Sequence, residues 1–249
     1  MLFKYNFIQI LNIFSIIVFL TLVSCKKETN NPIDITVVKT GVALIKFDNR
    51  IGKEELLLYG NSYQNEHDEG FMVNALNYYI SNVSLTHIDG SVFVLPKDSC
   101  QFLMREDDFF QQSFLLKNIP IGSYKSISFT LGADNQDVKN PIFDVQTKAK
   151  DLFSITKNQF VDFIFKGRLG IKDTFEYKVI LPKPSKKIEL NFGENIAVVR
   201  ASARYTTSIH LFCDISKFFR DVKLKETSNW TNINANVLDL FSVNHTENF

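Results

Sequence analysis

The sequence predicts an all-β chain, folded as a single antiparallel β-sandwich or barrel-like domain with a few short helices. Three observations predict it. From residue 35 onward, apolar residues recur with period 2 more often than with period 3.6, the spacing of a strand with one buried face. Turn-forming residues interrupt that pattern about every 8–12 residues, as in small all-β domains. Aromatic residues make up 13% of the chain, with 24 Phe and 1 Trp, and Phe and Tyr fit half-buried pleated surfaces. No strand-like run is followed regularly by a helical stretch, so a parallel α/β sheet is not expected.

The elements follow in order. Residues 42–47 (VALIKF) alternate and stop at Asp48–Asn49. Residues 55–60 (ELLLYG) form a short run closed by Gly60. Residues 71–88 are rich in Tyr, Val, Ile and Thr, and Asp89–Gly90 follows them. That dipeptide, between THI and SVFVL, predicts a hairpin with a type I′ turn, in which both central residues have φ > 0. Residues 113–118 lead into a turn at Pro120 and Gly122, and residues 124–132 alternate again. Residues 160–167 and 174–181 flank a loop carrying Gly170. Residues 187–192 and one long run, 198–214, complete the strands. Short helices are expected at 144–153, 215–219 and 233–241.

Composition excludes several functions. At 45% hydrophobic and 22% charged, with a formal net charge of +1, the chain is too apolar for disorder. It is also too neutral for a nucleic-acid binder that works by neutralising phosphates.

The N-terminus reads as an address. Residues 1–24 carry Lys4 and then an apolar stretch over 7–23, the pattern of a signal peptide or an anchor. Leu22, Val23, Ser24 and Cys25 have the form of a lipobox. Small residues let a peptidase reach the bond before Cys25, whose thiol takes a thioether-linked diacylglycerol. Two or three acyl chains hold a protein stably at a membrane. The expected organisation is a signal peptide at 1–24, a lipidated tether at 25–34 and one β domain at 35–249, in the bacterial cell envelope. Cys100 and Cys213 remain; in an oxidising compartment they are either a disulfide or two buried thiols.

Motifs for chemistry are sparse. The four histidines, His67, His87, His210 and His245, form no zinc helix motif, and no C-x-x-C, P-loop, G-x-S-x-G elbow or dinucleotide fingerprint is present. No nucleophile–base pair can be named, so the chain is not expected to be an enzyme. Glu106–Asp107–Asp108 reads as a solvated loop. Asp134, Asn135 and Asp137 have oxygen ligands at a spacing that suits Ca²⁺, but Asx turn chemistry accounts for them more simply.

Four segments together resemble the MbnP-like family of bacterial envelope proteins. They are LNYYISNVSLTHIDGS (76–91), LKNIPIGSYKSISFTLGAD (116–134), SIHLFCDISKFF (208–219) and NVLDLFSVNH (236–245). The resemblance implies a β-rich extracytoplasmic domain and copper binding. Its copper chemistry is carried in part by a block like M-x-W-T-W-N-x-G-Y-x-F-x-K-x-x-G, where one Trp can be oxidised to kynurenine. Here that stretch is LFSITKNQFVDFIFKG (152–167): Leu152 replaces Met, and Ser154 and Thr156 stand where the Trp residues would be. The one Trp, Trp230, lies outside it. Cys100–Gln101 and Tyr177–Lys178 occupy places where the family tends to have Tyr-His pairs. What the resemblance leaves as metal ligands is His210 and His245, with Asp214 beside the former. Two functions stay open: copper binding by a membrane-tethered lipoprotein, or a non-metal interaction module that meets an unidentified protein.

Overall fold

The computed structural model describes residues 38–132, 153–154, 159–160, 162–170, 173–179, 186–201, 206–220, 223–226 and 237–248. The expected signal peptide, Cys25 and the expected tether lie outside the described residues, as do Asp134, Asn135, Asp137 and Trp230. One compact unit runs from Val38 to Phe249.

The strands are β1 (Thr40–Ile51), β2 (Glu54–Glu55), β3 (Tyr63–Gln64), β4 (Gly70–His87), β5 (Val92–Val94), β6 (Gln101–Arg105), β7 (Ser113–Pro120) and β8 (Gly122–Leu131). They continue with β9 (Phe153–Ser154), β10 (Gln159–Phe160), β11 (Phe163–Leu169), β12 (Asp173–Val179), β13 (Lys187–Asn191), β14 (Ala197–Val199), β15 (Thr207–Asp214) and β16 (Phe241–Glu247). One sheet has the order β16-β15-β1-β2, with β7 also on β1. A larger sheet runs β12-β11-β4-β8-β13; β3, β5 and β6 add to β4, and β14 adds to β8. β9 and β10 pair apart from both. Neither main sheet closes on itself among the described residues, so the fold is a sandwich rather than a barrel.

Strand alternation builds the first sheet. From Gly41 to Ile51, β1 alternates buried and half-buried without a break. Ala43, Ile45 and Phe47 point into the core, while Lys46, Asp48 and Arg50 face outward. The two sheets meet on aromatic rings. Phe47 lies 5.9 Å from Tyr78 on β4, 5.8 Å from Phe129 on β8 and 5.9 Å from Phe241 on β16. All three contacts are edge-on, the arrangement the ring quadrupole favours.

Several expectations need correction. The first sheet is not wholly antiparallel: β1 and β15 pair in parallel, with Ala43 opposite Thr207 and Arg50 opposite Asp214. A parallel pair requires a long crossover, and here residues 52–206 separate the two strands. The long run 198–214 is two strands, β14 on one sheet and β15 on the other. Residues 56–60 are not strand; only Glu54–Glu55 pairs there. The hairpin at Asp89–Gly90 forms, but as a three-residue loop. Gly90 N donates to His87 O (3.0 Å) and His87 N to Ser91 O (2.8 Å). Gly90 has φ +93°, whereas Asp89 is not at positive φ, so one glycine completes the turn instead of two left-handed residues.

The expected helix at 215–219 is a 3-10 turn, Ile215–Phe219, capped by the Asp214 side chain on Ser216 N. Of the expected helix at 233–241, the described residues Val237–Leu240 form a 3-10 turn, and Phe241 opens strand β16. The remaining expected helix, 144–153, lies almost wholly outside the described residues; Phe153 is in β9. Cys100 and Cys213 are both buried free thiols.

Removing the Phe47 ring would open a cavity where the two sheets meet. Phe47→Ala is expected to lower stability by about 3–5 kcal/mol, the usual range for a deleted buried phenyl. Urea denaturation followed by circular dichroism measures it.

Candidate metal centre

β15 lies between β1 and β16, and its register assembles the site. His210 stands opposite Lys46 of β1 and opposite His245 of β16. Regular alternation would put Asn244 and His245 on opposite faces of β16. The β15–β16 register slips by one residue between His210 and Leu211, leaving Asn244 as an extra residue. A bulge of this kind re-aims side chains, and here Asn244, His245 and Glu247 all line one groove with His210 and Asp48.

The two imidazoles stack, with ring centroids 4.2 Å apart and planes 18° apart. His245 Nε2 is 3.3 Å from Glu247 Oε1, and His210 Nε2 is 3.9 Å from Glu247 Oε2. One ligand atom from each of His210, His245 and Glu247 lies within 4.8 Å of the others. Metal–imidazole bonds run about 2.0–2.1 Å, so one ion spans donors about 4 Å apart. The stacked rings aim their in-plane lone pairs side by side, so converging these three donors on one ion requires a ring to turn out of the stack. The donor set fits the metal that the family resemblance implies, since imidazole suits Cu(II) and carboxylate accompanies it readily. The His210 side chain is 14% exposed, against 41% for His245, so β15 carries the more enclosed imidazole and β16 the more accessible one.

Behind His210 sits Asp48. Its Oδ2 is 3.1 Å from His210 Nδ1 and 3.2 Å from Asn244 Nδ2, and its Oδ1 is 3.0 Å from Lys46 Nζ. Burial opposes ionisation of Asp48, but the hydrogen bonds from Lys46, Asn244 and His210 outweigh it and hold the carboxyl below its ordinary value.

The groove measures about 930 Å³ and continues past Arg50 towards Glu106, Tyr59 and Phe109. The Arg50 guanidinium lies 3.5 Å over the Phe212 ring. Glu106 is not the solvated loop residue its sequence context suggested. Desolvation by burial pushes its carboxyl up to about 7, with Glu55 and Asp107 adding repulsion against a hydrogen bond from Asn49. Asn49 Nδ2 donates to Glu106 Oε2 (2.6 Å), and Tyr78 OH donates to Asn49 Oδ1 (2.9 Å), so a polar chain enters the aromatic core there. Asp107 and Asp108 do behave as loop residues: one pairs with Arg105 at 2.6 Å, the other caps Phe110 N at 3.1 Å.

Of the residues singled out in the sequence, His210 and His245 come together. Asp214 does not join them. Its carboxylate accepts from Gly52 N, Ser216 N and Ser216 Oγ at 2.7–3.1 Å, closing the turn after β15. Glu247 takes the third place. Its signal was the two-residue spacing His245-Thr246-Glu247, which puts both side chains on one face of a strand. His87 instead serves its hairpin, 2.9 Å from Asp89 Oδ1 and edge-on to Tyr124. His67 sits beside Glu66, at 3.8 Å.

Because the native Glu106 binds its proton more tightly than an unfolded chain, stability is expected to fall as pH rises from about 4.5 to about 7. The loss is roughly 3 kcal/mol from this group. Glu106→Gln removes that slope, and urea denaturation between pH 4 and pH 8 (roughly the range of the shift) measures it.

Comparison with known proteins gives a family. The model described as MbnP matches residues 40–237. That range covers the scaffold through β15 and ends before β16. Among solved structures, MbnP from Methylosinus trichosporium is similar, with a TM-score of 0.47 and 9% sequence identity over 70% of this chain and 76% of that one. No curated protein matches the chain.

Proposed function

Since the chain belongs to the MbnP family, we propose that it is a lipoprotein of the bacterial cell envelope whose β domain binds copper through His210, His245 and Glu247. The observation that carries this reading is the cross-strand pair: two histidines 35 positions apart meet face to face at 4.2 Å with a carboxylate beside both. The role proposed is binding, without turnover.

His210, His245 and Glu247 would hold the ion, and Cu(II) with two imidazoles and a carboxylate accepts a further donor from solvent or from a partner. The residues around it have separate tasks. Arg50 on Phe212 walls the groove, and Asn244 keeps the bulged strand pinned to Asp48. The altered positions Ser154 and Thr156 make this a histidine–carboxylate site rather than one built on oxidised tryptophan. The N-terminus supports the placement: the lipobox ending at Cys25 reads as a tether to a membrane, on the outer membrane or its periplasmic face.

A second reading, an interaction module without metal, has its own observation. Phe109 and Phe110 are 75% and 86% exposed, and Phe109 borders the groove. Exposed adjacent aromatics of this kind are common at protein-binding surfaces.

Calorimetric titration decides between the two. Cu(II) is expected to bind saturably, with one ion per chain. His210→Ala or His245→Ala should lower affinity by more than the roughly 10–100-fold typical of an outer-shell change. Absence of saturable binding in the wild type removes the metal reading and leaves the module. For the tether, Cys25→Ser is expected to move the protein from the membrane fraction to the soluble one. Fractionation followed by mass analysis of the N-terminal peptide checks this.

A further inference from the structure

The copper reading names the ligands but not what aims them. We propose that Asp48 is a positioning residue for His210, fixing the proton on Nδ1 so that Nε2 is the nitrogen offered to a metal. The inference rests on the metal reading for its consequence, though its structural half stands alone.

An ionised carboxylate has no proton to give, so the 3.1 Å contact between Asp48 Oδ2 and His210 Nδ1 has the imidazole as donor. A neutral imidazole carrying its proton on Nδ1 has its lone pair on Nε2, the atom that faces Glu247. Asp48 stays ionised because Lys46 Nζ holds Oδ1 at 3.0 Å while Asn244 Nδ2 shares Oδ2 at 3.2 Å. With both oxygens engaged, Asp48 is a support rather than a fourth ligand. Strand geometry makes the placement repeatable. Lys46 and Asp48 are two apart on the outward face of β1, and β1 lies in register beside His210. Asn244, the bulged residue, ties the β16 side to the same carboxylate. One side chain thus links all three strands of the site. Among the described residues His245 has no such support; its Nε2 contact runs to Glu247, itself 42% exposed. The two histidines are therefore unequal, one locked and one adjustable.

The test begins on the metal-free full chain, by nitrogen-15 NMR at a pH of roughly 8.5, where imidazoles are neutral. His210 is expected to show the Nδ1–H tautomer. In Asp48→Ala it should revert to the Nε2–H form that free imidazole side chains prefer, and Cu(II) affinity should fall about 10–100-fold. Asp48→Asn keeps an acceptor without the charge, so it should restore much of both. A purely electrostatic role would leave Asn as poor as Ala. A wild-type His210 protonated on Nε2, or Cu(II) affinity unchanged in Asp48→Ala, overturns the proposal. If the wild type binds no copper, the metal reading fails on that result, and the tautomer measurement alone still decides what Asp48 does.

Discussion

The register of β15 is the constraint on which the rest depends. β15 is held in parallel against β1 and antiparallel against β16, with its inward residues Ile209, Leu211 and Cys213 fully buried. Because strand side chains alternate with period 2, a slip of one residue on either side would exchange the faces. It would drive His210 and Asp48 into the aromatic core and bring Phe47 or Leu211 to the surface. Burial of those apolar side chains is worth about 1.5–3 kcal/mol each. The core thus fixes where the polar groups of the outer face stand, and the proposed metal centre follows from packing on the opposite side of the same strands.

One local exception makes the centre possible. Strict pairing along β16 would present either Asn244 or His245 to the groove, and the bulge presents both. Asn244 then binds Asp48, and His245 stacks on His210. The groove has two chemical ends. Near β16 the carboxylates Asp48 and Glu247 flank imidazoles and a lysine. At the other end Glu106 is largely withdrawn from water and held towards its neutral form by burial. Adjacent residues of β1 serve the two ends: Asp48 points outward to the histidines, and Asn49 points inward to Glu106 and Tyr78.

Much of this was legible in the sequence, for a physical reason. Alternation in VALIKF and in SIHLF reports one buried face directly, so the sandwich and most strands could be read from it. The resemblance segments 76–91 and 116–134 became β4 with its hairpin and the strands β7 and β8, and their family assignment agrees with the match over 40–237. What alternation cannot carry is pairing between strands remote in sequence. The parallel partnership of β1 and β15 is of that kind, as is the closing strand β16, whose polar run SVNHTE lacks an apolar stripe. Two of the three candidate ligands, His210 and His245, could be named from the resemblance segments 208–219 and 236–245. Asp214 was favoured by proximity in sequence, but four residues along a strand is about 13 Å, too far to share an ion with His210. Asp48 was missed because its significance lies in the β1–β15 register, and Glu247 because its spacing to His245 gains meaning only once β16 lies beside β15.

The central claim is that β15 and β16 bring His210 and His245 onto one ion. Pulsed electron paramagnetic resonance on the Cu(II)-loaded full chain tests it most directly, by counting equatorial imidazoles. The account predicts two in the wild type, and one in each of His210→Ala and His245→Ala at saturating copper. A wild-type imidazole count that survives loss of either histidine would contradict it.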